Sequence, residues 1–197
     1  MKIVIISGTP GTGKTSVSKK ITEKINARMI SLNELAISKN LIISYDQKRD
    51  TNIIDAKKII DQVEILIQKH SQGNIEVLII ESHFSDIIPN DLIDYPIVLR
   101  CHPDELMKRL KERDYKTEKL IENAQAEILG NCMNFMIKKN MGKEIIEINT
   151  TNLNVKSIAE IIIHIIQDNK YMEKFSKLKV DWLEKLFQEN RLEDFFD

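Results

Sequence analysis

A short apolar segment, Lys2–Ser7 (KIVIIS), runs directly into Gly8-Thr9-Pro10-Gly11-Thr12-Gly13-Lys14-Thr15. The eight residues fit G-x-x-x-x-G-K-[S/T]. They require a strand that stops, a turn whose backbone is accessible, and a helix that begins near Thr15. A chain of phosphates carries several negative charges and needs many donors at close range. Backbone N–H groups can curl around it only where no side chain blocks the approach, which favours Gly8, Gly11 and Gly13. The helix from Thr15 adds unpaired N–H groups and a positive dipole end. Lys14 then reaches the outer phosphates, and the Thr15 hydroxyl can ligate Mg²⁺. Gly11, Thr12, Gly13, Lys14, Thr15 and Ser16 are therefore expected to touch the phosphates of a nucleoside triphosphate, ATP, with Mg²⁺.

Further along, short apolar runs alternate with helical periodicity. Strands are predicted at Lys2–Ser7, Arg28–Ser31, Glu76–Ser82, Tyr95–Arg100 and Glu144–Asn149. Helices are predicted at Thr15–Asn26, Ser31–Lys39 (capped by Ser31), Asp55–His70, Pro103–Arg113, Thr117–Lys139, Asn154–Gln167 and Ser176–Asn190. The polar stretch SYDQKRDTNIID reads as irregular loop. Strands that alternate with helices imply parallel βαβ units, and uniformly apolar strands imply a sheet covered on both faces. Ligands of such sheets bind beyond the strands' carboxyl ends, here after Ser7, Ile80, Leu99 and Ile148.

Three groups of residues follow those ends. Glu81 closes VLIIE and can hold a Mg²⁺ water or simply be a solvated strand-end acid, whereas His83, two residues on, can orient a substrate or an attacking water or be structural. Arginines are few, at 28, 49, 100, 109, 113 and 191. Phosphoryl transfer calls for a bidentate, permanently charged clamp. Arg109 and Arg113, four apart on one predicted helix, are the candidate pair; a solvated basic face is the alternative. Arg49 lies in the polar loop, where a second nucleotide can dock. Thr150–Asn152 follows the last strand and can approach the adenine, with Asn152 the candidate contact.

Bulk composition excludes several classes. The 29 basic and 30 acidic residues leave a net charge of −1, so no global basic field points to nucleic acid. Cys101 and Cys132 have neither metal nor disulfide spacing, which fits a reducing compartment and a cytoplasmic protein. The first apolar segment is too short to read as a signal peptide, and no apolar run reaches the ~18 residues of a spanning helix, so no membrane is expected. The stripe Leu120, Ala124, Ile128, Cys132, Met136, with Ile121, Leu129, Met133 and Ile137 beside it, reads as core. Cys101, His70, His102 and His164 read as structural or solvated. Trp182, Leu183, Leu186 and Phe187 make an amphipathic last helix that either caps the domain or meets a partner.

Taken in order, ISGTPGTGKT, Tyr45-Asp46 with Arg49 and Asp55, ESHF, VLRC, RLKERDY, ENAQAEI and VDWLEKLF resemble the archaeal and eukaryotic adenylate-kinase-like proteins, whose eukaryotic members are nuclear and act in small ribosomal subunit maturation. The resemblance implies an α/β P-loop NTPase of the nucleoside monophosphate kinase type: three layers, α/β/α, around a five-stranded parallel sheet. It implies a kinase domain over residues 1–170, with a monophosphate-binding segment at about 31–72 and a short lid at about 113–122, and a C-terminal helical extension over 171–197 packed on that domain. It further implies ATP:AMP phosphoryl transfer with slow ATP hydrolysis, a small-subunit ribosomal protein as partner, and at most indirect contact with pre-rRNA. By position, Gly8–Thr15 is the cradle, and Glu81 and His83 take the place of the family's acid-x-His motif. Arg109 flanks adenine, Arg113 contacts phosphates, and Arg49 belongs to the acceptor side. Two departures, Glu81 where many members have Asp and Asp114 where many have Gly, together with the absence of arginine between Arg113 and Arg191, imply a slow kinase. An ATP-switched assembly factor, or a kinase acting on a nucleoside or a shikimate-like alcohol, remain the alternatives.

Overall fold

A computed structural model describes residues 1–139, 142–176 and 179–196. Along the chain the elements are β1 (Lys2–Ser7), α1 (Lys14–Lys24), β2 (Ala27–Ser31), α2 (Leu32–Ser38), β3 (Ile42–Asp46), β4 (Thr51–Ile54), α3 (Ala56–Ser71) and β5 (Val77–Glu81). They continue with β6 (Tyr95–Arg100), α4 (Pro103–Lys111), α5 (Thr117–Ile128), α6 (Asn131–Lys138), β7 (Ile146–Asn149), α7 (Val155–Gln167), α8 (Asn169–Ser176) and α9 (Trp182–Gln188).

Among the described residues, the main sheet has five strands in the order β2-β5-β1-β6-β7, all parallel. The strands lack the polar alternation of a half-exposed sheet because both faces are covered. Val4 and Ile6 of β1 pack with Val17 and Ile21 of α1 and with the apolar face of α7. Ile3 and Ile5 point the other way, towards Leu35, Ile59 and Val63 of α2 and α3 and Met133 and Met136 of α6. This is a three-layer α/β/α sandwich of the P-loop, monophosphate-kinase-like kind. Ile5, Ile6, Ile79, Ile80 and Ile97 have no exposed surface; each such side chain contributes about 1.5–3 kcal/mol by leaving water.

The strand order positions the site. After β1 the chain moves to one side, to β2 and back to β5; it then crosses over β1 to β6 and β7 on the other. At this reversal the carboxyl ends of β1, β5 and β6 splay around a crevice. The register sets Ile6 opposite Glu81 and Ser7 opposite Val98, so the loop after Ser7 and the residues after Glu81 emerge side by side.

Three sequence readings are corrected. The polar stretch after Ser44 is not irregular: Ile42–Asp46 and Thr51–Ile54 pair antiparallel as a hairpin, turned at Asp50 with φ 47. Neither strand has a fully buried residue, so no apolar alternation marked it. The helix expected over 117–139 breaks at Gly130, in left-handed conformation at φ 64. That bend sends α5 towards α9 and α6 onto the sheet: Leu120, Ala124, Ile128 and Met136 of the core stripe are buried and Cys132 is half-buried, but they serve separate clusters on either side of the break. Ile121, Leu129 and Ile137 are exposed, while Met133 and Met136 are buried. At the C-terminal end, the helix expected over 176–190 is the shorter α9; residues 177 and 178 of that range lie outside the described residues. α8, not expected from the sequence, starts at Asn169, and its Tyr171, Met172 and Phe175 pack against the α1/α7 core.

Candidate functional site

The loop between β1 and α1 carries three glycines at positive φ: Gly8 at 143°, Gly11 at 94° and Gly13 at 100°. At Gly8 a Cβ would lie 2.5 Å from the Leu99 carbonyl oxygen and 2.8 Å from Thr12 Oγ1. At Gly11 it would meet Leu106 at 2.8 Å. The loop is thus pressed onto β6 and α4 too closely for side chains, and Gly13 caps α1 so that its first N–H groups face outward. Within the loop, the Thr12 N–H and hydroxyl both point to Thr9 O, at 3.2 and 2.9 Å. Lys14 folds back, its Nζ 2.8 Å from Gly8 O and 3.1 Å from Thr9 O. Burial holds this ammonium below the usual lysine range, against the nearby Cys132 and the Glu81 and Glu127 carboxylates, which raise it. A polyphosphate would offer it better partners than two carbonyls do.

The cradle opens into a cleft of about 890 Å³. Gly11, Gly13, Lys14, Thr15, Ser16, Glu81, His83 and Arg113 line it, with Arg49 on the hairpin side. Thr12 is fully buried behind the loop. Thr15 Oγ1 donates to Glu81 Oε1 at 3.2 Å. Among the described residues, no three His, Cys, Asp or Glu side chains cluster to hold a metal by themselves. The donor set fits Mg²⁺ nonetheless. This ion prefers a few oxygens plus waters and substrate phosphates, and a hydroxyl beside a carboxylate at the edge of a phosphate cradle supplies the protein's share.

His83 extends from the strand end into the cleft, its ring edge-on to Phe84 at 4.9 Å. Burial, aided by Lys14 and Lys119, pushes its pKa down to about 4. At neutral pH it is an uncharged imidazole, able to donate from one nitrogen and accept at the other.

The two arginines read as a pair do not share a face, because α4 ends at Lys111, two residues short of Arg113. Arg113 lines the cleft. Arg109 lies away from its lining: Nε donates to Glu105 at 2.9 Å, and Nη2 to Thr150 O and Thr151 O at 3.1 and 3.2 Å. Asn152, exposed in the turn that follows, is on that same outer flank. Asp114, beside Arg113, has φ 58.

Arg49, at the hairpin tip, gives Glu122 Oε1 two hydrogen bonds, 2.7 Å from Nη2 and 3.2 Å from Nε. Lys119 donates to the Arg49 carbonyl at 2.7 Å and Lys116 to Asp50 at 3.0 Å. The hairpin and α5 are thereby latched across the cleft mouth.

Residues 4–130 match the family described as an AAA domain. A Methanocaldococcus jannaschii protein provisionally named adenylate kinase is 35% identical over 190 residues, covering 96% of this chain and 98% of the relative. A Methanosarcina barkeri protein of the same name is 35% identical over 187 residues, covering 92% and 98%. The chain belongs to this adenylate-kinase-like family of P-loop NTPases. Among solved structures, a sugar kinase from Janibacter sp. HTCC2649 superposes with TM-score 0.57 at 11% identity, over 85% of this chain and 95% of that one. A shikimate kinase from Bacteroides thetaiotaomicron gives 0.53 at 14%, over 85% and 99%. Both share the fold. Family and fold make the chain a kinase-like, ATP-binding protein.

The sequence reading assigned no role to the buried charges behind the cradle of this kinase-like protein. Glu127 of α5, 1% exposed, accepts the Thr9 hydroxyl at 2.5 Å, Arg100 Nε at 2.8 Å and the Cys101 N–H at 3.0 Å. Arg100 also donates to Glu147 at 2.6 Å. The signal was present: Glu127 falls on the apolar face of α5 beside Ala124 and Ile128, and Arg100 ends an otherwise uncharged strand. A charge among core positions needs a buried partner.

Proposed function

We propose that this protein transfers the γ-phosphoryl group of Mg-ATP to AMP, giving two ADP. A phosphate oxygen of AMP attacks the γ-phosphorus, and the bond from that phosphorus to the β–γ bridging oxygen breaks. The observation that carries the reading is the two-sided cleft: Lys14, Thr15, Glu81, His83 and Arg113 face it from the sheet side, and Arg49 faces it from the hairpin. One wall suits a triphosphate and the other a second phosphate-bearing molecule.

Such chemistry rests mainly on positioning and charge stabilisation. The glycine loop and the head of α1 bind the β- and γ-phosphates. Lys14 exchanges its carbonyl partners for phosphate oxygens. Thr15 and Glu81 would hold Mg²⁺, Glu81 through a water; when bound, the ion neutralises developing charge on the phosphates. Neutral His83 orients the acceptor or a water. Arg113 offsets charge on the moving phosphoryl, and Arg49 leaves Glu122 to grip the AMP phosphate. Arg109, with Thr150–Asn152, flanks the adenine of ATP. Slow hydrolysis follows when water takes the acceptor's place.

A second reading, an ATP-driven assembly factor that grips a small-subunit ribosomal protein, is supported by the apolar surface of the hairpin, where Ile43, Tyr45 and Ile53 are 66%, 53% and 47% exposed. Large exposed apolar side chains on one short element favour a protein partner. The test of the main reading is a screen of each nucleoside monophosphate with Mg-ATP, repeated with a small-subunit ribosomal protein. We expect AMP to be the preferred acceptor. Equal ADP release with every monophosphate, rising only with the ribosomal protein, would favour the second reading.

A further inference from the structure

Behind the phosphate loop, two carboxylates and one guanidinium share a buried site. Glu127, Glu147 and Arg100 are 1%, 3% and 3% exposed, and they sum to one negative charge. The Lys14 ammonium, which interacts with Glu127 through space, and neutral hydrogen-bond donors offset the excess, because a buried charge short of partners is strongly destabilising. Those donors come from three separate parts of the chain.

The phosphate loop supplies one, the Thr9 hydroxyl, 2.5 Å from Glu127 Oε2. The end of β6 supplies the Cys101 N–H, 3.0 Å from Glu127 Oε1. The remaining two come from the C-terminal segment: the Trp182 indole N–H, 3.3 Å from the same Oε1, and the Val180 N–H, 3.1 Å from Glu147 Oε2. The Val180 carbonyl in turn accepts from Arg100 at 3.2 Å. One carboxylate thus joins the nucleotide cradle to the start of α9.

Thr9 is also the residue on whose carbonyl Lys14 and Thr12 converge. When Lys14 moves to a phosphate, the loop loses two of its internal bonds, those from Nζ to Gly8 O and Thr9 O. Thr9 then stays tied through its hydroxyl to Glu127 and through its carbonyl to Thr12. Any shift of Thr9 changes the hydrogen bonding at Glu127 Oε2, and the same carboxylate's other oxygen faces Trp182.

We propose that Glu127 is a positioning residue for the phosphate loop, and that it couples nucleotide held in that loop to the environment of Trp182. The proposal rests on the reading of the loop as a nucleotide site.

Trp182 is the only tryptophan in the chain, so all tryptophan emission comes from this one indole. The experiment titrates the full chain with Mg-ATP and follows Trp182 fluorescence and calorimetric heat in parallel. We expect an emission change that saturates with the same dissociation constant as the heat. In Thr9→Val, which keeps the shape and loses the hydroxyl, heat should persist with affinity weakened about 2- to 10-fold, the worth of one hydrogen bond, and the emission change should vanish. Thr9→Ser should restore both.

A second route to Trp182 exists through His102, whose ring packs edge-on against the indole at 5.0 Å. A signal carried that way would survive in Thr9→Val. Heat with an equal emission change in wild type and Thr9→Val, or heat with no emission change at all, overturns the coupling and leaves the nucleotide site standing. Absence of heat in the wild-type protein overturns the nucleotide reading, and the coupling with it.

Discussion

Lys14 illustrates how single residues carry the chemistry. Its ammonium is buried against two carbonyls, a poor setting for a charge and a ready one for phosphate. Lys14→Met should cut nucleotide affinity or turnover by about 100-fold or more, measured by calorimetry and by ADP release; an unaltered rate would contradict the cradle. His83 makes a prediction about pH. Its folded pKa, about 4, lies below the ordinary value of about 6.5. The unfolded chain therefore binds the extra proton first as pH falls. His83's contribution is intact above pH ~6.5 and is lost between there and pH ~4. Histidine NMR should show a neutral ring at pH 5.5, and His83→Asn should flatten the fall in melting temperature over that window. Asp114 occupies a left-handed conformation that costs a side chain strain, less for Asp than for most residues. Asp114→Gly should change stability by under ~1 kcal/mol, because relieved strain and a looser unfolded chain offset each other. It should speed phosphoryl transfer several-fold by removing a negative charge beside Arg113.

At the scale of elements, the hairpin and α5 hold the cleft mouth by exposed pairs, Arg49–Glu122 and Lys116–Asp50. Exposed pairs contribute only about 0.2–1 kcal/mol, so the latch is weak and salt-sensitive. In the proposed reaction Arg49 must leave Glu122 to reach AMP. Glu122→Gln should therefore lower the KM for AMP while leaving that for ATP nearly unchanged; an unchanged or higher KM for AMP would remove Arg49 from the acceptor site. This element was also the hardest to read in sequence. The β1 and β5 strands declared themselves because both faces are buried, whereas the hairpin, solvated on both sides, carries no periodicity. The α5–α6 break was likewise hidden, since the apolar repeat continues through Gly130 and only its left-handed φ turns the chain. The loop's glycines were legible from the motif: Gly8 and Gly11 meet Leu99 and Leu106 too closely for a side chain, and Gly13 takes a positive φ. For Glu127 the place on the apolar face of α5 was legible but its partners were not: they lie in the phosphate loop, at the end of β6 and in α9, and only the fold joins them.

For the molecule as a whole, strand order does most to place the chemistry. Crossing from β5 over β1 to β6 sets the phosphate loop, Glu81, His83 and the end of β6 around one crevice, and the sandwich buries the strands that hold them. No helix among the described residues is long and apolar enough to cross a membrane. The C-terminal elements close the structure, with Trp182, Leu186 and Phe195 packed on Ala124 and Ile128 of α5. The most direct test is to follow ATP, ADP and AMP by phosphorus NMR in a mixture of protein and Mg-ATP, before and after AMP is added. The proposed reaction predicts slow ADP release alone, then a sharp rise with two ADP formed for each AMP consumed. An ADP rate indifferent to AMP, with AMP left intact, would contradict it.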